Sequence, residues 1–303
     1  MKDGEESEID LKSYIEDKQA RVNAALDRIL PRDDEYPQAL SRAMRYTVLG
    51  GGKRFRPVLC IASFEGCGGT GDAIMPVACA IELIHAYSLI HDDLPCMDND
   101  DLRRGRPTAH KVFGEAVAVL AGDALLTFAV ETVLTEATRG LDGRRVTRIL
   151  NDLMKAAGHR GMVAGQVVDM ESQGREGNAE TVKYIHTHKT GALIASAARC
   201  GAIGAGAIES VVERMATYGS RVGLAFQIID DVLDAEGKFA GVKSASRLDE
   251  RTEKITYPAI FGVEASRTAA RQLIEEAKQA ILSLGPAAEP LGLLADLVGS
   301  RSS

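Results

Sequence analysis

Apolar residues recur at helical spacing along most of the chain, and this pattern predicts a succession of α-helices. We expect helices at about residues 9–30, 36–48, 53–64, 73–94, 112–138, 145–157, 160–173, 179–200, 208–234, 254–262, 264–283 and 286–299. No segment shows sustained alternation with a period of two, so no β-strand is expected. Several helices are apolar on nearly every face, which is typical of the inner helices of a large bundle. The pattern therefore predicts a single all-α domain over residues 1–303, with residues 1–8 disordered.

Composition narrows the class of protein. The 303 residues are 45% apolar, enough for a large core, and the net charge of −7 argues against a broad basic surface for nucleic acid. The N-terminal residues are acidic and polar, unlike a signal peptide, and we find no uninterrupted apolar segment of the ~18 residues needed to span a bilayer. The five cysteines form no CxxC pair, which favours reduced thiols. We therefore expect a cytoplasmic protein with no nucleic-acid partner and no membrane span.

Two groups of aspartates, each at the end of a long apolar run, are the main chemical feature of the sequence. The first aspartate set is Asp92, Asp93 and Asp98, and the second is Asp230, Asp231 and Asp234. Pro95 breaks the first helix, so Asp98 can curl back beside Asp92, whereas Asp230 and Asp234 share one helix face. Six carboxylates in one site would repel one another unless cations lay among them, and Mg²⁺ prefers such oxygen ligands. The alternative is two solvated helix ends with ordinary surface acids.

Basic and polar side chains add two candidate anion sites. Lys53 and Arg56 follow three consecutive glycines at a helix start, and His85 lies two helical turns before Asp92 on the same face. Arg103 and Arg104 follow the first aspartate set, and guanidinium groups match phosphate oxygens. Lys189 and Thr190 open a very apolar helix, and Gln227 shares the face of Asp230. Plainer alternatives are a basic helix start for Lys53 and Arg56, a satisfied core residue for His85 and a polar helix start for Lys189 and Thr190.

These residues together suit one reaction. Mg²⁺ draws charge from a diphosphate and makes it a better leaving group. If the leaving carbon is allylic, a resonance-stabilised carbocation forms, and an apolar helical interior keeps water from it. A second substrate that keeps its diphosphate, without bound metal, needs a basic pocket. The double bond of this second substrate attacks the cation, and a proton is then lost. Neither a serine–histidine nor a cysteine–histidine arrangement is apparent.

On these motifs the sequence resembles the trans-isoprenyl diphosphate synthases, most closely the bacterial-type farnesyl diphosphate synthases (geranyltranstransferases). The resemblance rests on Gly-Gly-Lys-Arg-Phe-Arg-Pro at 51–57, both aspartate sets and Lys-Thr-Gly at 189–191, and it covers about residues 46–262. It implies the all-α isoprenoid synthase bundle around a central apolar cavity, commonly as a homodimer. It also implies Mg²⁺, three ions per active site, with Mn²⁺ able to substitute.

The resemblance assigns roles to individual residues. Asp92, Asp93, Asp98, Asp230 and Asp234 would hold the metal. Lys53, Arg56, His85 and Arg104 would bind isopentenyl diphosphate. Arg103, Lys189, Thr190, Gln227 and Lys254 would hold the allylic diphosphate, dimethylallyl or geranyl, with Thr190 and Gln227 near the developing cation.

Product length and one irregular stretch leave alternatives open. Tyr87, five residues before Asp92, is the candidate end of the product cavity, which favours a farnesyl product, and plain core packing is its alternative role. Synthases of the C20 geranylgeranyl product share much of this region. After the second aspartate set the family usually carries Gly-Lys, whereas an ungapped match here gives Lys243-Ser244, with Arg247 in place of a glycine. Lys243 or Arg247 substitutes for the missing cation, or allylic diphosphate binding is weakened.

Three other functions fit these residues less well. A metal phosphohydrolase built on His91-Asp92 would need histidine ligands, whereas carboxylates dominate here. A non-catalytic subunit of a prenyl synthase would tend to lose an aspartate set. A terpene cyclase would not need Lys53, Arg56 and His85 for a second diphosphate.

Overall fold

The computed structural model describes residues 9–175, 177–239 and 255–301, and within these ranges the chain is almost entirely helical. The helices are α1 (Leu11–Ile29), α2 (Gln38–Val48), α3 (Phe55–Gly66), α4 (Met75–Asp92), α5 (Ala109–Phe113), α6 (Glu115–Thr135), α7 (Gly143–Ala157), α8 (Met162–Ser172), α9 (Ala179–Ile185), α10 (Ala192–Ala205), α11 (Glu209–Phe239), α12 (Tyr257–Phe261), α13 (Val263–Ile281) and α14 (Glu289–Gly299). Short 3₁₀ segments lie at Ala137–Arg139 and Leu282–Ala288. The all-α class is confirmed. The prediction of disorder for residues 1–8 lies outside the described residues.

The core is built by helices that are apolar on most faces. Buried residues from α3, α4, α10 and α11 belong to one continuous cluster, and these helices pack on one another. In α4 the side chains from Val77 to Ile84 are all buried. Because such helices have no polar face to turn towards solvent, they lie inside, and the more amphipathic α1, α7 and α13 pack around them.

Local structure differs from the sequence-based expectation in three places. The predicted helix 179–200 contains a π-helical turn at His186–Gly191 and continues to Ala205, past its predicted end. Helix α11 extends to Phe239, past the predicted end at residue 234. The expectation of no strand was wrong. Leu102–Arg103 and Arg106–Pro107 pair as two short antiparallel strands, β1 and β2, and two-residue strands are too short to show alternation.

Two stretches among the described residues, Glu115–Arg139 and Val263–Gly299, are long and apolar enough by length and composition to cross a membrane. Both stretches include charged side chains, such as Asp123 and Arg271, so neither is an uninterrupted apolar segment. In the first stretch, α6 places Ala118, Ala121 and Leu125 in the core against α4. A core helix satisfies the same length and composition rule, so the absence of a membrane span stays a prediction.

A buried ion pair fixes the glycine-rich turn before α3. The Arg54 guanidinium donates to Glu82 Oε1 (2.5 Å), to the Val48 carbonyl (2.6 Å) and to Asn23 Oδ1 (2.9 Å). Arg54 has a φ of 48°, a conformation that is uncommon for a residue other than glycine. Three groups on different parts of the chain thus hold Arg54, and with it the turn that presents Lys53 and Arg56.

We expect Glu82→Ala to destabilise the protein by about 3–5 kcal/mol, because it leaves the Arg54 charge buried without its partner. Glu131→Ala, on the exposed face of α6, is the matched control and should change stability by no more than about 0.5 kcal/mol. Urea unfolding followed by circular dichroism measures both. Equal midpoints for the two variants would contradict a stabilising role for the pair.

Candidate active site

Two adjoining cavities lie between the inner helices. The carboxylate cavity, of about 810 Å³, is lined by residues of α4, α8, the π-helical turn and α11 and by the segment after α4. The basic cavity, of about 760 Å³, is lined by residues of α1, α3, α4, α11 and α14 and by the glycine-rich turn. Arg56, His85, Arg104 and Phe226 line both cavities. A molecule in one cavity therefore lies next to a molecule in the other.

The first aspartate set forms where α4 ends. The Asp98 amide donates to the Asp92 carbonyl (2.8 Å), and the Asn99 amide donates to the Leu94 carbonyl (3.0 Å). The chain thus curls back on itself around Pro95, as its position in the sequence predicted. Asp92 and Asp98 both line the carboxylate cavity. Asp93 instead is buried and accepts from Arg103 Nε (2.6 Å), so it braces the arginine rather than lining the cavity.

The second aspartate set reaches the same cavity through its first member. Asp230 lines the carboxylate cavity, whereas Asp231 points into the core and Asp234 is exposed one turn further along α11. Asp234 is close enough for its charge to act on Asp230, and its role as a metal ligand stays a prediction. Residues 243 and 254, the predicted lysine contacts, lie outside the described residues.

Burial makes the Asp92 and Asp230 carboxylates unusually basic. It raises the pKa of Asp92 and that of Asp230 each to about 6, since the charged form is poorly solvated beside an apolar cavity. Lys189 opposes the shift at Asp92 and Arg301 opposes it at Asp230. A cation bound beside either carboxylate would therefore stabilise its charged form.

The π-helical turn aims Lys189 and Thr190 into the carboxylate cavity. A Cβ on Gly165 would lie 2.1 Å from the Lys189 amide nitrogen, so only glycine lets α8 approach this turn. Lys189 Nζ contacts Asp169 Oδ2 at 2.5 Å, and Thr190 donates to Gln227 Oε1 at 2.7 Å. Wide turns of this kind are frequent at functional sites. Lys189, Thr190 and Gln227 therefore meet at the cavity wall, as expected.

The basic cavity gathers cations from distant parts of the chain. Lys53, Arg56, His85 and Arg104 line it, which is the group that the sequence assigned to a second diphosphate. Gly52 has a φ of 135°, and a Cβ there would lie 2.6 Å from Arg104 Nη1. Burial, followed by the charges of Arg56 and Arg104, holds the pKa of His85 well below its ordinary value. His85 is thus a neutral hydrogen-bonding group rather than a cation.

Several site residues were missed by sequence reasoning. Arg301 follows α14, contacts Asp230 Oδ1 at 2.6 Å and lies 4.5 Å from the centre of the Phe226 ring. Asp169 pairs with Lys189, and Gln166 lines the carboxylate cavity with both of its amide atoms buried and unpaired within the described chain. These contacts join residues far apart in sequence, and no local pattern marks them.

The histidines do not form a metal site. His91 Nε2 lies 3.1 Å from the Val119 carbonyl and 3.9 Å from Asp123. Among the residues that the structure describes, no three His, Cys, Asp or Glu side chains converge into a ready-made metal centre. Asp92, Asp98 and Asp230 are the oxygen donors that could hold hard cations here, with a bound anion or water completing the coordination.

The site thus consists of an apolar, helix-lined cavity edged by carboxylates and a second cavity lined by basic side chains. These features define a class of all-α proteins that bind one anion through metal cations and a second anion directly. The model of the polyprenyl synthetase family matches residues 37–283. A chloroplastic geranylgeranyl pyrophosphate synthase of Catharanthus roseus is 45% identical over 98% of this chain and 83% of its own length. The chain belongs to the polyprenyl synthetase family and is a prenyltransferase.

Two further relatives bear other names. A dimethylallyltranstransferase of Fischerella ambigua is 43% identical over 98% of this chain and 85% of its own length. The crystal structure of an FPP/GFPP synthase from Zymomonas mobilis, in its apo form, superimposes with a TM-score of 0.85 at 36% identity, over 96% of this chain and 99% of that one. Close relatives within the family are thus named for different reactions.

We expect Asp92→Asn to melt at a higher temperature than the wild type at pH 7.5 in the presence of a chelator. A carboxylate whose pKa is raised in the folded state destabilises the fold at pH values above about 6, and that cost is absent below the unfolded pKa near 4. A gain of about 1 kcal/mol corresponds to about 2–4 °C. Asp34→Asn, on the exposed surface, is the control and should not change the melting temperature. A lower melting temperature for Asp92→Asn would contradict this account of the cavity.

Proposed function

We propose that the protein condenses isopentenyl diphosphate with allylic diphosphates and that its product is geranylgeranyl diphosphate. The observation that carries the proposal is the pairing of the two cavities, which share Arg56, His85 and Arg104 along their common wall. The apolar, carboxylate-lined cavity suits the substrate that ionises. The basic cavity suits the substrate that keeps its diphosphate.

Mg²⁺ is the proposed cofactor, and the donor set fits it. Asp92, Asp98 and Asp230 supply oxygen ligands, and the raised pKa values of Asp92 and Asp230 mean that a bound cation relieves an unfavourable charge. When bound, Mg²⁺ would neutralise charge on the leaving diphosphate. Three ions per site, and replacement by Mn²⁺, remain part of the proposal.

The chain's own residues contribute binding, orientation and exclusion of water. Lys189 is held between Asp169 and the first aspartate set, where its ammonium group can contact diphosphate oxygens. The oxygen atoms of Thr190 and Gln227 line the cavity where positive charge develops as the carbon–oxygen bond breaks. Apolar side chains of α8, including Met162 and Met170, line the same space and exclude water.

The second substrate would bind in the basic cavity. Lys53, Arg56 and Arg104 supply positive charge for its diphosphate, and neutral His85 supplies a hydrogen bond. Its double bond attacks the cation to form the new carbon–carbon bond, and the proton lost afterwards passes to the departing diphosphate. The basic side chains hold this substrate beside the shared wall and so set the direction of attack.

Chain length is the finer part of the proposal. Several of the relatives, from Catharanthus, Arabidopsis and Cyanophora, are named geranylgeranyl synthases, which supports the C20 product over the farnesyl product that the sequence motifs favoured. One observation supports the farnesyl alternative. The buried ring of Tyr87 lines the carboxylate cavity and stands edge-on to His91 at 5.8 Å, so it narrows the space near Asp92.

The activity test uses the purified chain with Mg²⁺, isopentenyl diphosphate and each allylic starter in turn, followed by sizing of the products. We expect a C20 product from dimethylallyl, geranyl and farnesyl starters, and no product from Asp92→Ala or Asp230→Ala with unchanged helical circular dichroism. A C15 end product would favour the farnesyl alternative. Absence of any product from the chain alone would support a non-catalytic subunit and overturn the proposal.

We expect Tyr87→Ala to lengthen the product by at least one five-carbon unit, because removing the ring deepens the cavity beside the first aspartate set. Tyr36→Ala is the control, since Tyr36 is 92% exposed and far from the cavities, and it should leave the product distribution unchanged. Product sizing by chromatography distinguishes the two variants. If Tyr87→Ala keeps the wild-type distribution, the cavity ends elsewhere.

A further inference from the structure

A chain of buried hydrogen bonds runs from the core to the wall of the carboxylate cavity. His186 Nε2 lies 3.0 Å from Asp231 Oδ2, which also accepts from the Tyr257 amide at 2.9 Å. Asp231 Oδ1 accepts from Gln227 Nε2 at 3.1 Å, and Gln227 Oε1 accepts from the Thr190 hydroxyl at 2.7 Å. Asp231 thereby joins α11, the π-helical turn and the start of α12.

The carboxylate fixes the direction of this chain. An ionised aspartate only accepts hydrogen bonds, so the amide nitrogen of Gln227 must face Asp231 and the amide oxygen must face Thr190. That oxygen only accepts, so the Thr190 proton is committed to it and the hydroxyl lone pairs are left for the cavity. Reversing the amide of Gln227 would place a donor opposite the Thr190 hydroxyl and free its proton to point elsewhere.

The positions of the four side chains separate two roles. Thr190 and Gln227 line the carboxylate cavity, whereas Asp231 and His186 do not and are only 8% and 4% exposed. Both oxygens of Asp231 already have hydrogen-bonding partners. Asp231 is thus placed to act through Gln227 and not as a cavity ligand, in contrast to its neighbour Asp230.

Alignment of these bonds has an electrostatic consequence. In the interior, successive hydrogen bonds polarise one another, so a carboxylate at one end increases the negative character of the oxygens at the other. Oxygens that are already oriented towards developing positive charge stabilise it without reorganisation. Thr190 and Gln227 line the cavity in which the allylic carbon would ionise.

We propose that Asp231, held by His186, is a positioning residue that orients the Gln227 amide and the Thr190 hydroxyl towards the carbocation. This inference rests on the proposed function. It assigns the second aspartate set two separate tasks: Asp230 faces the cavity and its cations, and Asp231 directs the oxygens of Gln227 and Thr190.

The first test is Asp231→Asn, which preserves shape but lets the Gln227 amide reverse. We expect kcat with geranyl diphosphate to fall about 10- to 100-fold, the effect of one hydrogen bond to a charged group. The KM for geranyl diphosphate and the Mg²⁺ concentration for half-maximal rate should each change less than threefold.

The matched control is Glu236→Gln, which makes the same chemical change on the same helix. Glu236 pairs with Arg267 outside the cavities, so the kcat of this variant should match the wild type. A large rise in the Mg²⁺ requirement of Asp231→Asn would make Asp231 a metal ligand and overturn the inference.

The second test asks whether Asp231 acts through Gln227. In a Gln227→Ala background, Asp231→Asn should lower kcat less than threefold further, because the amide that it orients is gone. An equal loss in both backgrounds would indicate a general structural role and contradict the inference.

A pair of His186 variants keeps the inference testable if Asp231→Asn does not fold. His186→Gln can place an amide N–H near the position of Nε2 and should keep kcat within threefold of the wild type, whereas His186→Leu should lose about tenfold or more. Equal activity of the two variants would contradict the inference. Lack of condensation by the wild type would refute the proposed function itself, which is a separate outcome.

Discussion

The burial of carboxylates beside an apolar cavity is the constraint on which this structure depends. Asp92 and Asp230 come from helices distant in sequence, and the fold holds both where their charges are poorly solvated. The free-energy cost of this arrangement falls when cations lie close by. Lys189 and Arg301 bring those cations from two further elements, the π-helical turn and the segment after α14. Much of the remaining architecture brings these four groups together.

Close helix approach is what makes that convergence possible. Gly165 lets α8 approach the backbone at Lys189, and a Cβ on Gly223 would lie 2.9 Å from the Gly191 Cα, so α11 and the π-helical turn also come very close. The turn is thereby held on two sides, and its side chains reach the cavity without flexible loops. A site held by packed helices keeps its groups in place more accurately than one carried on loops. The same argument extends to Asp231, which ties this turn to α11 by hydrogen bonds rather than by packing.

Sequence patterns predicted those features that depend on local physics. Helices such as α4 and α6 are predicted by their apolar runs. Pro95, between Asp92 and Asp98, predicted the reversal of the chain that the structure contains. The π-helical turn was missed because apolar spacing continues through residues 179–200. That spacing does not distinguish an α-helical turn from a turn with one extra residue. Arg301 was missed because its partner lies 71 residues away and only tertiary packing joins them.

The motifs favoured a farnesyl product, but local sequence patterns are also too limited to determine the product length. An aromatic residue five positions before Asp92 marks where a cavity could end, but the position of its ring depends on what lies behind it. The Tyr87 ring stands against His91, and a Cβ on Gly122 of α6 would lie 2.1 Å from His91 Nε2. The space beside Tyr87 is therefore set jointly by α4 and α6. The depth of this part of the cavity thus depends on a helix–helix contact, which one motif on one helix does not encode.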